Sequence, residues 1–155
     1  MKRQQELYDR FPKMFCQKDL PMTQTAMCWG CACGDGWFDI IYQACEKVES
    51  YIQEQERVGI PVMSIAQWHE KIINEGRDES KILFYPEFTQ IKEKFGTLRM
   101  YFDGGDDHIR DIFSDAEDLS ATTCESCGCD QGIHRTKGWH RVLCDTCESN
   151  RFKNN

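Results

Sequence analysis

The stretch that decides the fold of the C-terminal part is Cys124-Glu125-Ser126-Cys127-Gly128, which is followed by Leu143-Cys144-Asp145-Thr146-Cys147, with sixteen residues between Cys127 and Cys144. Two cysteines three positions apart on a tight turn can both reach one tetrahedral ion at about 2.3 Å, and a second such turn completes the shell. This spacing is typical of four-cysteine zinc sites. It predicts a zinc ion held by Cys124, Cys127, Cys144 and Cys147. Four thiolates leave no open coordination position, so we expect this zinc to be structural.

The residues between the two turns predict a short β-hairpin, with glycines at 132 and 138. We therefore expect a zinc ribbon over residues 121–150, followed by a tail at 151–155. Cys129, His134 and His140 are possible substitute ligands, but the four paired cysteines fit the geometry better.

Ten cysteines are many for a chain of 155 residues. The chain contains neither an apolar run long enough to span a membrane nor an apolar N-terminal stretch typical of a secretory signal. These features predict a cytoplasmic protein whose thiols stay reduced and bind metal. A second metal site is conceivable at Cys16, Cys28, Cys31 and Cys33, although Cys16 is distant in sequence. Small buried thiols are the simpler interpretation, and a nucleophilic Cys33 lacks an identifiable partner.

Residues 1–120 predict an α+β body in which helices pack on a small antiparallel β-sheet. Apolar residues recur at helical spacing in residues 37–52, and again in 65–73 and 109–119. Asp35 is a candidate N-cap for the first of these helices, and Ser64 with Gln67 has the spacing of a capping box for the second. Gly96 separates two β-prone segments and predicts a hairpin. The expected core is Trp37, Ile41, Val48, Trp68, Ile72, Leu98, Met100, Phe102, Ile112 and Phe113.

Charge is unevenly distributed along the chain, whose net charge is −7. Residues 1–120 hold 14 Lys/Arg against 22 Asp/Glu, whereas residues 121–155 hold five against four. An acidic body is repelled by phosphate backbones, which argues against nucleic acid as the main partner.

Three motifs together resemble a family of small bacteriophage and prophage proteins. They are the turn Cys33-Gly34-Asp35-Gly36-Trp37, the segment Lys94-Phe95-Gly96-Thr97-Leu98-Arg99, and the paired cysteines at the C-terminus. The resemblance covers nearly the whole chain in the same order, and it implies a phage origin and a C-terminal zinc ribbon. Cys28 and Cys31 depart from the family pattern.

Without a catalytic signature in the sequence, we expect a non-enzymatic accessory protein that binds and modulates a host protein. An inhibitor of a host defence system, such as an anti-CRISPR protein, is one such role. The aspartates at 107, 111, 115 and 118 could form its partner-binding face, although a solvated helix surface is the simpler interpretation. The alternative is a regulatory zinc ribbon that contacts nucleic acid through Arg135, Lys137, Trp139 and Arg141. An enzyme would need a cleft formed by residues far apart in sequence, such as Asp35, Asp39, His69, Glu70 and Arg99.

Overall fold

The computed structural model of the chain describes residues 1–76, 81–138 and 140–153. Within this part, helices and small sheets alternate, which confirms an α+β architecture. The helices are α1 (Gln4–Arg10), α2 (Phe38–Arg57), α3 (Ile65–Glu75), α4 (Asp107–Ser120) and α5 (Asp145–Lys153). The strands are β1 (Cys31–Ala32), β2 (Val62–Met63), β3 (Leu83–Phe84), β4 (Glu87–Lys94), β5 (Thr97–Asp103), β6 (Ile133–Arg135) and β7 (Val142–Cys144).

The main sheet is a mixed three-stranded sheet in the order β1-β4-β5. Strands β4 and β5 form the predicted antiparallel hairpin, and Phe95 and Gly96 make its turn with φ of 54° and 78°. Strand β1 pairs with β4 in parallel, so the expectation of a purely antiparallel sheet is wrong. Strands β2 and β3 are also parallel. Strands of two residues carry no periodic signal, which is why the sequence did not reveal them.

Helix α4 covers the outer edge of β5. The backbone N–H of Leu98 donates to Ser120 Oγ at 2.8 Å, and that of Met100 donates to Glu117 Oε1 at 2.7 Å. These two groups would otherwise be unpaired donors at a sheet edge. Side chains of α4 therefore take the place of a fourth strand.

The helix signals of the sequence are confirmed at α3 and α4. Ser64 and Gln67 form the capping box of α3, and the Asp106 carboxylate accepts the N–H of Ile109 at the start of α4. Asp35 is not the N-cap of α2, because a short 3₁₀ turn at 35–37 precedes that helix. The Asp35 carboxylate instead accepts the backbone N–H of Lys2 at 2.5 Å.

The core contains most of the residues that the periodicity predicts. Six are buried, namely Trp37, Ile41, Val48, Leu98, Met100 and Phe113, whereas Phe102 and Ile112 are partly buried against them. Trp68 and Ile72 are only half-buried, so the prediction of a buried face on α3 is wrong. Trp68 lies at the periphery, with its ring 5.4 Å from that of Phe84, and Ile73 is 82% exposed.

The N-terminal segment supplies core residues that the sequence analysis did not predict. Leu7 on α1 and four residues in the following turns are completely buried, namely Phe11, Met14, Phe15 and Met27. Short 3₁₀ turns at 16–19 and 27–29 break the helical period here, so no apolar stripe marks the segment.

Candidate metal centre

The first cysteine turn is a compact loop that begins at Cys124. The N–H of Cys124 donates to Cys129 O and the N–H of Gly128 donates to Cys124 O, both at 2.8 Å. Gly128 has a φ of 80°, which a side chain would disfavour. The loop thus directs Cys124 and Cys127 to one side.

The second turn lies where β7 meets α5. Cys144 ends β7, and Cys147 is in the first turn of α5. The N–H of Cys147 donates to Cys144 Sγ at 3.4 Å. Strand β7 pairs with β6 in antiparallel register, as expected for a ribbon hairpin, and this pairing holds the second turn opposite the first.

The four predicted ligands meet. Their Sγ atoms all lie within 4.8 Å of one another, and those of Cys127 and Cys144 are 3.8 Å apart. A tetrahedral ion with bonds of about 2.3 Å requires sulfur separations of about 3.8 Å. The cluster could therefore hold a metal ion with little rearrangement.

Backbone donors favour the thiolate form that a metal needs. The N–H of Cys147 is the main cause that lowers the pKa of Cys144 to about 6, and the N–H of Cys129 lowers the pKa of Cys127. Burial raises the pKa of Cys147 to about 12. Because neighbouring thiolates repel one another, complete ionisation of the set calls for a bound cation.

The substitute ligands have other roles. His134 lies between two carboxylates of α5, with its Nε2 2.5 Å from Glu148 Oε2 and its Nδ1 3.4 Å from Asp145 Oδ1. The hydrogen bond with Glu148 raises the pKa of His134. His140 is exposed, and Cys129 contacts the carbonyl of Gln131 at 3.7 Å. Neither histidine belongs to the group of ligands that can share an ion.

The Cys-Gly-Asp-Gly-Trp turn, residues 33–37, packs directly against the first cysteine turn, residues 124–128, and we call this contact the socket. The N–H of Gly36 donates to Glu125 O at 2.9 Å, and Trp37 Nε1 donates to Thr123 O at 2.9 Å. A Cβ at Gly36 would overlap Cys124 O and lie 2.5 Å from Gly128 N. The glycines therefore permit direct backbone contact between the body and the first cysteine turn. This contact links two motifs that the sequence analysis treated separately.

Glu125 is the charged centre of this contact and is only 4% exposed. One oxygen of its carboxylate accepts the N–H of Gly34 at 3.1 Å, and the other pairs with Arg141 Nε at 2.9 Å. The hydrogen bond with Glu125 raises the pKa of Arg141. A buried carboxylate with both oxygens satisfied stabilises one relative position of turn and ribbon. No local sequence signal marks Glu125, because its partners lie far along the chain.

The proposed second cysteine site does not form. Cys16 is exposed, Cys28 contacts Thr25 O at 3.3 Å, and Cys31 is buried in β1. Among the described residues, the C-terminal four cysteines are the one group whose ligand atoms come close enough to share an ion. Burial raises the pKa of Cys33 far above its usual value, the reverse of what a nucleophile needs. All ten cysteines are free of disulfides.

The residues of the two predicted binding surfaces differ in how accessible they are to a partner. The aspartates at 107, 111, 115 and 118 are all exposed on α4. In the basic set, Arg135 and Lys137 are exposed, but Arg141 is engaged by Glu125. Trp139 lies outside the described residues.

The residues suggested for an enzymatic cleft contact separate partners. Asp39 lies 3.7 Å from Arg3, and Arg99 lies 3.5 Å from Glu117. The His69 ring contacts that of its neighbour Trp68 at a tilt of 42°, with ring centroids 5.3 Å apart.

None of the described helices is both long and apolar enough to cross a membrane. Comparison of the chain with protein-family models, with curated proteins and with solved structures gave no match.

Proposed function

We propose that the chain is a non-enzymatic, phage-encoded accessory protein that carries a structural zinc ion and binds a host protein in order to modulate it. Inhibition of a host defence system, of the anti-CRISPR or another kind, is the role that we favour. The phage origin comes from the family resemblance of the three motifs. The four-thiolate cluster supports a structural role for zinc, since such a shell leaves the metal no position for a substrate.

A groove between α2 and α4 is the observation that carries the proposed binding role. It has a volume of about 370 Å³ and an apolar floor that includes Ile112 and Leu119. Leu119 is 52% exposed, although it is a large apolar residue. Exposed apolar surface with a polar rim is typical of a protein-binding site.

The rim of this groove is acidic. Asp115 and Asp118 line it, and Asp111 lies one turn earlier on α4. Lys47 is the one cation among the lining residues. Complementary charge then selects a partner with a basic, amphipathic segment that lays its apolar side in the groove.

Capture from a host lysate, followed by binding with the purified partner, tests this proposal. The zinc-loaded protein is compared with Asp115→Lys/Asp118→Lys in a calorimetric titration against the captured protein. We expect the double reversal to weaken binding at least tenfold, because it places cations opposite a basic partner. The matched control, Asp9→Lys/Asp103→Lys, makes the same charge change at exposed sites elsewhere and should retain affinity. Equal binding by both variants, or the absence of any specific host partner, refutes the proposal.

A nucleic-acid-binding ribbon remains the second candidate function. Arg135 and Lys137 are exposed, which favours it, but the ion pair with Glu125 removes Arg141 from the set. Loss of salt-dependent binding in Arg135→Ala/Lys137→Ala would identify the ribbon as the contact.

A further inference from the structure

The outer face of the main sheet is basic in the half nearest the hairpin tip, although the protein as a whole is acidic. Strand register places Lys92 opposite Arg99, Gln90 opposite Tyr101 and Lys94 opposite Thr97. The intervening residues Ile91, Leu98 and Met100 are buried on the other side. From the hairpin tip to the Gln90–Tyr101 pair, the outer face thus carries Lys92, Lys94 and Arg99, of which Arg99 pairs with Glu117 at 3.5 Å. Glu87 and Asp103 lie opposite each other at the far end of the hairpin.

Two aromatic rings accompany these cations. Tyr101 is 42% exposed, and Lys92 Nζ lies 5.3 Å from the centre of its ring. Phe95 at the hairpin tip is 67% exposed, and Lys94 Nζ lies 5.5 Å from its ring centre. Within the described part of the chain, neither lysine forms an ion pair with a carboxylate, so both ammonium groups are available to a ligand.

The hairpin tip has an unfavourable conformation for the residue that it carries. Phe95 is the one non-glycine residue with positive φ among those described, and a left-handed backbone disfavours a bulky side chain. A large apolar ring in such a turn gains little from burial, because most of its surface is exposed. Strain of this kind concentrates at binding sites.

The ribbon extends the outer face beyond the tip. A Cβ built on Gly96 would lie 3.5 Å from Arg135 Nε, so this guanidinium adjoins the turn. Gly138 and His140 line a groove of about 290 Å³ together with Lys94, Phe95 and Glu93, whose carboxylate accepts the N–H of Gly96. Positive charge and exposed rings therefore continue from β4 and β5 onto the loop between β6 and β7.

We propose that this outer face, with the hairpin tip, binds single-stranded nucleic acid, with the cations on phosphates and with bases stacked on Tyr101 and Phe95. Bases stack on exposed aromatic rings, and the sheet presents such rings on an open surface. An acidic peptide would contact the cations but has no bases to stack on the rings. Tyr101 and the tip are about 17 Å apart, five strand positions at about 3.4 Å each, which leaves room for several bases. Among the carboxylates of α4, Glu117 lies 3.5 Å from Arg99 and neutralises it, so Lys92 and Lys94 are the cations of this face that phosphates would contact.

A fluorescence anisotropy titration tests the proposal with the intact, zinc-loaded chain and a labelled oligothymidylate of about 12 nucleotides. Tyr101→Ala should weaken binding at least about fivefold, and Tyr101→Phe, which keeps the ring, should bind like the parent. Lys92→Ala/Lys94→Ala should reduce the slope of log affinity against log salt by about 1.4, or about 0.7 for each lost phosphate contact. The matched control, Arg57→Ala/Lys81→Ala, removes two exposed cations from outside this face and should leave the slope unchanged.

Three results would overturn the proposal. One is no binding of the oligonucleotide at low salt, and another is binding that all variants share equally. The third is competition by polyglutamate as effective as that by unlabelled oligonucleotide, together with no effect of Tyr101→Ala, which would identify a surface for acidic proteins. Circular dichroism and zinc content check that each variant is folded. Because the α2–α4 groove is a separate surface, failure here leaves the proposed host-protein contact to its own test.

Discussion

Replacement of Gly36 by alanine should separate the first cysteine turn, residues 124–128, from the body. The added Cβ would overlap Cys124 O and lie 2.5 Å from Gly128 N, and real Cβ atoms do not approach other atoms below 3.0 Å. Both obstacles are backbone atoms of a loop that its own hydrogen bonds close, so they cannot move aside cheaply. The socket has to open instead.

The expected loss in the free energy of unfolding follows from the hydrogen bonds between the two turns of the socket. Opening it disrupts the bonds donated by Gly34 N, Gly36 N and Trp37 Nε1. Each such bond contributes about 0.5–1.5 kcal/mol, so we expect a loss of about 2–4 kcal/mol in the free energy of unfolding. With a urea slope of about 2 kcal/mol/M, the unfolding midpoint should fall by roughly 1–2 M.

Urea unfolding of the zinc-loaded protein, followed by circular dichroism, measures this loss. Gly59→Ala is the matched control, because nothing lies within 4 Å of its Cβ. Gly59 has a φ of 87°, so alanine there costs only backbone strain, about 1–2 kcal/mol. Gly36 has no positive φ, so its loss comes from the contact alone. A midpoint for Gly36→Ala equal to that of the parent would refute the close approach of turn and loop.

Three further results are expected. Elemental analysis should give one equivalent of zinc per chain, which Cys124→Ser should abolish and Cys28→Ser should retain; a second equivalent that Cys28→Ser removes would revive the N-terminal site. Glu125→Gln should lower the free energy of unfolding by about 1–3 kcal/mol in urea, because it leaves the Arg141 guanidinium without its anion, and an unchanged midpoint would contradict this role. The pKa of His134 is raised in the folded protein. The ion pairs of His134 with α5 therefore stabilise the fold fully at a pH below the unfolded pKa of about 6.5. This stabilisation is lost as the pH rises through the pKa of His134 in the folded protein. Amide exchange in α5 should therefore quicken on the alkaline side of the His134 titration, and His134→Gln should remove that pH dependence.

The parts of the fold that could be predicted from the sequence are those with local signals. The spacing of the C-terminal cysteines predicts a cluster that the structure assembles, and Ser64 with Gln67 marks the start of α3. Periodicity places α2 and α4 and much of their buried face. Each of these signals lies within a few turns of chain, where spacing determines which residues are neighbours.

The remaining features depend on contacts between distant segments. Gly34 and Gly36 appear in the sequence as turn residues, and only the fold shows that they leave space for Glu125. The parallel pairing of β1 is too short to produce a pattern, and the buried Phe11 lies in a segment without a regular period. The prediction of a buried face on α3 was wrong although the local signal was clear. An apolar stripe indicates a helix but does not reveal whether another element covers that face.

The way in which α4 closes the sheet restricts how this protein can meet a partner. Many complexes form when an extended peptide joins a sheet edge as a new strand. On β5 such a peptide would have to displace Ser120 and Glu117 from the very N–H groups that it needs. Because α4 occupies this edge, it also prevents β5 strands of different copies from pairing edge to edge. Recognition on this side of the molecule therefore relies on side chains of the helix and sheet faces rather than on exposed backbone.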